Sequence, residues 1–291
     1  MQRREALKLL GIGAAASVAM NLPDLRKFAD DLPASEIQPA LFIGHGSPMN
    51  AIYDNDFTKT LTSIGKSLAK PKAILVVSAH WLTRGTFVAT SAKPETIYDF
   101  GGFPPEMYNI IYAAKGSPES AKLLQEEVKK TIVTADAQMG MDHGAWTILK
   151  HIYPDASVPV FEMSIDFYQS PRWHYELAQE LKALRKKGIL IIGSGNITHN
   201  LRRANFDDTA KIDDWAIEFD EAIKSKILTR DHNAIIDYNS LGKSAAIAVP
   251  TNDHYLPLLY TLGLQESNEE ASFLFEGFQN ANISMRCVRI G

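Results

Sequence analysis

A three-layer α/β/α sandwich around a mixed, mostly parallel central sheet is the fold this sequence predicts, and three observations carry the prediction. Short, solidly apolar runs such as Ala-Ile-Leu-Val-Val at 73–77 and Ile-Leu-Ile-Ile at 189–192 lack the polar alternation of a half-exposed strand, so both of their faces must be covered. These runs alternate along the chain with stretches of helical periodicity, the pattern of βαβ units with right-handed crossovers. No stretch of about 20–50 residues repeats, which sets a solenoid aside.

The first residues stand apart from that pattern. Gln2-Arg3-Arg4-Glu5-Ala6-Leu7-Lys8 precedes an apolar stretch from Leu9 to Met20, shorter than the about 20 residues a membrane-spanning helix takes. A basic segment before a weakly apolar one is the layout of an export signal. The paired arginines resemble the twin-arginine type, and Ser17-Val18-Ala19 fits a cleavage site. Residues 1–19 are therefore expected to direct the protein to the periplasm and to leave no stable membrane insertion once removed; a cytoplasmic protein with an amphipathic first helix is the alternative. Residues 20–38 read as a linker and 39–291 as one catalytic domain.

Within that domain, 40–43 is a buried strand ending at Gly44, which puts His45 at its carboxyl end. Phe57, Leu61, Ile64 and Leu68 mark a helix over 54–69, and a strand over 73–79 leads to His80. A strand is expected at 85–90. The stretch 98–105 gathers aromatics, glycines and prolines, which disfavour regular structure and suit either a surface loop or a pocket wall for a flat aromatic ligand. Helices follow at 105–113 and 117–130, the second with Ser117 as N-cap and Pro118 at its first position. His143 precedes a helical face of Trp146, Ile148, Leu149 and Ile152. A strand at 158–164, a helix at 170–187 stopped by Gly188 and the strand at 189–192 come next. That strand runs into Gly193-Ser194-Gly195-Asn196 and so to His199. Helices at 211–230 and 253–264, the latter behind His254, and a closing strand at 283–290 complete the chain.

A net charge of −4 gives no basic face, so nucleic acid is not an expected partner and a small molecule is. Cys287 is the only cysteine, which rules out an internal disulfide and a thiolate metal cluster. Any metal must then use nitrogen and oxygen ligands. His151, His174 and His232 sit in helical or polar stretches and read as hydrogen-bonded surface residues. His45, His80, His143, His199 and His254 differ, each lying at an element's edge among Gly, Asn, Asp, Ser or Pro. Ligands of open α/β sheets bind beyond the carboxyl ends of the strands. Neutral imidazoles gathered there make a divalent-metal site, and His45, His80, His199 and His254 are read as converging on one ion. Asp99, Asp142, Glu162 and Asp253 lie near these motifs as carboxylates able to orient an imidazole or complete the coordination, and spacing does not choose among them.

Taken in order, Gly44-His45-Gly46-Ser47-Pro48, Ser78-Ala79-His80-Trp81, Tyr98-Asp99-Phe100 with Gly102-Phe103-Pro104, Asp142-His143-Gly144, Gly193-Ser194-Gly195 leading to His199-Asn200-Leu201, and Asn252-Asp253-His254 form a distinctive series. It resembles the DODA-type extradiol ring-cleavage dioxygenases of the class III, LigB-like superfamily. The resemblance implies a non-haem metal site that opens the ring of a DOPA-like catechol with both atoms of dioxygen. His45, His80, His199 and His254 match the family's metal-site histidines, His143 its acid/base histidine, and His199 is either ligand or acid/base. Tyr98, Phe100 and Phe103 would border the substrate. Where the wider superfamily carries a metal-binding glutamate this chain has His254, so the donor set suits Zn(II) as well as Fe(II). The implied partners are a small catechol and dioxygen, with the protein a monomer or small homo-oligomer. Two rival readings of the same residues are a zinc hydrolase acting through a bound water with a pKa near about 7, and a non-catalytic metal or catechol binder.

Overall fold

The computed structural model describes residues 37–207 and 209–291, so the expected export signal and nearly all of the expected linker lie outside the described residues. The elements that build the site are β1 (Ala40–Gly44), α1 (Asp56–Ser67), β2 (Ala73–Ser78), α2 (His143–Ile152), β3 (Val160–Glu162), α3 (Pro171–Glu180), β4 (Ile189–Gly195), α4 (Asp214–Leu228), α5 (Leu256–Gly263), β5 (Ala271–Phe275) and β6 (Cys287–Ile290). Six strands form one sheet in the order β3-β2-β4-β1-β6-β5. The first four are mutually parallel, while β6 runs antiparallel to both β1 and β5. The sheet is thus mixed and mostly parallel.

Successive residues of a strand face opposite sides, and here both sides are dry. Leu41, Ile43, Ile74, Val76, Leu190 and Ile192 pack against Phe57 and Leu61 of α1 and Trp146 and Leu149 of α2. Phe42, Leu75, Val77 and Ile191 pack on the other face against Leu177 of α3, Phe219 of α4 and Leu259 of α5. This double cover is the physical reason the strand sequences show no alternation. Because β1, β2, β3 and β4 are parallel, their carboxyl ends share one edge of the sheet. His45, His80 and His199 leave from that edge.

His254 reaches it from the helical layer, and two glycines permit the approach. A side chain on Gly193 would lie 2.3 Å from the carbonyl oxygen of Pro257, and one on Gly195 2.2 Å from that of His254. With hydrogens there instead, the start of α5 rests on β4, and the Asn196 N–H donates to the His254 carbonyl at 2.8 Å.

Several expectations are corrected. The helix over 105–113 is only a 3-10 segment, Pro105–Asn109. Beyond it the Tyr112 N–H donates to Thr96 Oγ1 and the chain runs extended. The helix over 170–187 breaks at Leu181, whose N–H turns back to Ala178, and a separate helix covers Lys182–Lys186. The strand over 283–290 is two strands, Ile283–Ser284 paired with Phe278–Gln279 and then β6. Between them the Arg286 guanidinium turns inward to Asp220 and Glu221. Neither β5 nor the strand Val133–Asp136 was expected. His174 is not a surface residue: it is fully buried, with Nδ1 at 2.9 Å from the Tyr260 hydroxyl of α5.

Alanine at Gly195 should force β4 and the His254 backbone apart. We expect Gly195→Ala to lower stability by about 1–3 kcal/mol, read by denaturant unfolding, and to weaken metal binding. A variant with wild-type values of both contradicts the close-approach account.

Candidate metal centre

Each of the five edge histidines is placed by a different element. His45 follows β1, and its N–H donates to the Gly195 carbonyl at 3.1 Å. His80 ends the turn after β2. His143 is the first residue of α2, whose N-cap Asp142 accepts from the Ala145 N–H. His199 lies in the loop after β4 with its N–H on the Ala248 carbonyl, and His254 sits two residues before α5.

Three of these rings form a nearly equilateral group. The centroid separations are 5.0 Å for His45 and His80, 5.3 Å for His45 and His254, and 4.9 Å for His80 and His254. Each offers a ring nitrogen within 4.8 Å of the others. His45 Nε2 and His80 Nε2 stand 3.1 Å apart, close to the separation of adjacent donors around an ion with bonds of about 2.1 Å. His199 stacks flat on His254, 3.5 Å between centroids and 7° between planes, and groups with Asp253 and His254 rather than with His45 and His80.

The outer nitrogens decide what the inner ones offer. Ser194 Oγ donates to the Gly144 carbonyl at 2.6 Å, so its 3.0 Å bond to His45 Nδ1 has the imidazole as donor. His45 Nε2 is left with a lone pair. Asp253 accepts from His254 Nδ1–H and does the same for that ring. Asp99 accepts from both the backbone N–H and Nδ1–H of His143 at 2.9 Å, and lies 3.4 Å from His80 Nδ1. These partners fix tautomer and ring orientation, as carboxylate and carbonyl partners do for metal-bound histidines.

Burial, followed by the neighbouring imidazoles, holds His45 and His80 well below the ordinary histidine value of 6.5. Burial and His254 take His199 to about 3. These rings are therefore neutral near pH 7, the form that binds a cation. Burial pushes Asp99 and Asp253 upward, but the hydrogen bonds and charge of His143 and His254 outweigh it, so both carboxyls stay ionised below their ordinary range. Neutral donors with inward lone pairs, backed by anions, fit a divalent ion.

The cluster floors a cavity of about 310 Å³ that all five histidines line. Its walls include Phe100, Phe103, Leu201, Phe206 and Ile283. The volume lies at the small end of ligand sites, which run from about 300 to 1,000 Å³. Of the three expected substrate-side aromatics, Phe100 and Phe103 line it and Tyr98 does not. The Tyr98 hydroxyl donates to the Ile110 carbonyl at 2.7 Å, and its ring backs Phe100 and Trp146. Ser194, Leu201, Phe206 and Ile283 escaped sequence reasoning as site residues. Ser194 and Leu201 stood inside quoted motifs, whereas nothing around Phe206 or Ile283 signalled a pocket. Asp142 and Glu162 lie beneath the cluster and reach no cavity wall.

The family model for the catalytic LigB subunit of aromatic ring-opening dioxygenase matches residues 39–287. The chain is 41% identical over 266 residues to the 4,5-DOPA dioxygenase extradiol of Escherichia coli K12, covering 90% of this chain and 98% of that protein. It is 34% identical over 256 residues to the Beta vulgaris protein of the same name, covering 85% and 94%. A crystal structure described as an uncharacterized protein from Escherichia coli K12 matches with a TM-score of 0.77 at 38% identity, covering 87% of this chain and all of that one.

The depressed imidazoles give a pH signature. When the metal-free chain unfolds below pH 6.5, His45, His80 and His199 take up protons that the folded state refuses, so stability falls with falling pH, down to about 3 for His199. Thermal melts of metal-free protein should show this loss, and His199→Asn should flatten part of it. Melting temperatures unchanged down to about pH 5 would mean the rings are not buried neutral.

Proposed function

The chain belongs to the LigB family of aromatic ring-opening dioxygenases and is a dioxygenase of the extradiol type; on that premise we propose that it opens the ring of a DOPA-like catechol, using one divalent metal ion and both atoms of dioxygen. The observation that carries this reading is the convergence of one ring nitrogen each from His45, His80 and His254 under an aromatic-walled cavity, beside the His143–Asp99 pair. His45, His80 and His254 would hold the ion. Fe(II) held there would supply redox chemistry and open coordination positions, and Zn(II), which suits the same donors, would have no redox change to offer.

The protein's own groups do the rest. Phe100, Phe103, Leu201 and Phe206 offer apolar surface to the flat ring. His143, its Nδ1–H fixed on Asp99, presents Nε2 to the cavity as the base for a phenolic proton. Asp99 then stabilises the imidazolium, as a hydrogen-bonded carboxylate does for a catalytic histidine. His199 covers the open face of His254 at the same cavity, where its neutral ring accepts a hydrogen bond from a substrate hydroxyl.

Protein reconstituted anaerobically with Fe(II) should consume oxygen and form a coloured ring-opened product with L-DOPA, and the Zn(II) form should do neither. His143→Ala should keep metal and catechol binding while kcat falls by about 10²–10⁴-fold. No uptake with either metal overturns the reading, and full activity in His143→Ala removes that histidine from it.

A further inference from the structure

Beneath the imidazoles lie two carboxyl groups that the proposed reaction leaves unused. Asp142 and Glu162 are 1% and 0% exposed. Glu162 ends β3, and Asp142 caps α2 immediately before His143. The Asp142 N–H donates to Glu162 Oε1 at 3.0 Å, and Asp142 Oδ1 accepts from Ser78 Oγ at 2.8 Å and the Ala145 N–H at 3.1 Å. Asp142 Oδ2 and Glu162 Oε2 remain, both buried and neither meeting an N–H or O–H donor. The bond from the Asp142 N–H to Glu162 Oε1 holds the two carboxyl groups side by side.

Two ionised carboxylates in contact in a dry site repel strongly, and one of them keeps its proton. A single shared proton turns two orphan acceptors into a donor and an acceptor. We propose that Glu162 is held as the neutral acid and donates to Asp142, and that this hydrogen bond makes Glu162 a positioning residue for His143 and, through Ser78, for His80.

The surroundings support that assignment. Burial first, then the charge of Asp142, pushes Glu162 well above the ordinary carboxyl range. The groups facing the pair are Ser78 from β2, Asp99 from the aromatic loop and His143 from α2; Asp142 is raised too, by burial, which its bond to Glu162 and then His143 and Ser78 work against and Asp99 reinforces. No lysine or arginine ion pair among the described residues reaches either one. Ser78 is also the acceptor for the His80 N–H at 3.3 Å, so one chain of bonds links β3, the α2 N-cap and the turn that carries His80.

The experiment compares the full chain with Glu162→Gln and Glu162→Ala. Infrared spectra near pH 7 should contain the C=O band of a protonated carboxyl, shifted by deuterium exchange and missing from Glu162→Gln. The glutamine amide donates the same bond, so kcat with L-DOPA should stay near wild type, whereas Glu162→Ala should lose about 10–100-fold with KM little changed. Wild type should lose activity as pH rises through the raised Glu162 value, because deprotonation sets two anions side by side; Glu162→Gln should not. A wild type without the band, a band that persists in Glu162→Gln, or a Glu162→Gln enzyme as impaired as Glu162→Ala overturns the proposal. The activity arm rests on the dioxygenase reading. An inactive wild type whose band vanishes in Glu162→Gln would sink that reading and uphold this one, and the infrared arm decides even where Glu162→Ala fails to fold.

Discussion

Three imidazoles that bring one ring nitrogen each within 4.8 Å of the others form a crowded group, and partners on their outer sides hold it in place. Ser194 takes the outer proton of His45, Asp253 that of His254, and Asp99 stands behind His80 and His143. Burial keeps His45 and His80 uncharged, so any repulsion between those two is one of dipoles and lone pairs rather than of cations. A divalent ion at the centre would turn that repulsion into attraction. The affinity of the site then comes from how rigidly the outer partners hold.

That rigidity is inherited from the sheet. Ser194 sits within β4, paired on both sides, where its hydroxyl is locked between His45 and the Gly144 carbonyl at the start of α2. Two glycines of the same strand let α5 settle closely enough to deliver His254. Strand edge, α2 N-cap and α5 start are thereby tied at one place by short hydrogen bonds instead of by loop packing. The cavity above inherits only its floor from this framework. Its Leu201 and Phe206 walls belong to a surface loop and are 60% and 71% exposed, so they suit an adaptable grip on a substrate better than a fixed one.

What was legible in the sequence followed from packing that repeats. The runs at 73–77 and 189–192 announce strands covered on both faces because each residue meets a helix on one side or the other. The five histidines were distinguishable because the turns carrying them need small and capping residues, and all five line one cavity. Illegible features depend on single long-range partners. Thr96 takes the Tyr112 N–H that a helix over 105–113 would have used, and inward-turned Arg286 splits an otherwise continuous apolar strand. β5 is an edge strand of modest burial, so its sequence carries little pattern. Phe206 lines the cavity and Tyr98 stands behind Phe100, and their sequence positions do not reveal which aromatic faces the cavity. His174 shows the same limit, since its hydrogen-bond partner Tyr260 lies 86 residues away in sequence.

The central claim is the position of one ion among three named nitrogens. Anomalous diffraction from crystals grown with Fe(II) or Zn(II), recorded at each metal's absorption edge, tests it directly. One peak is expected, at about 2.0–2.2 Å from Nε2 of His45, His80 and His254. A peak between His80, Asp99 and His143, one bound by Asp253 beside His199, or no peak at saturating metal would contradict it.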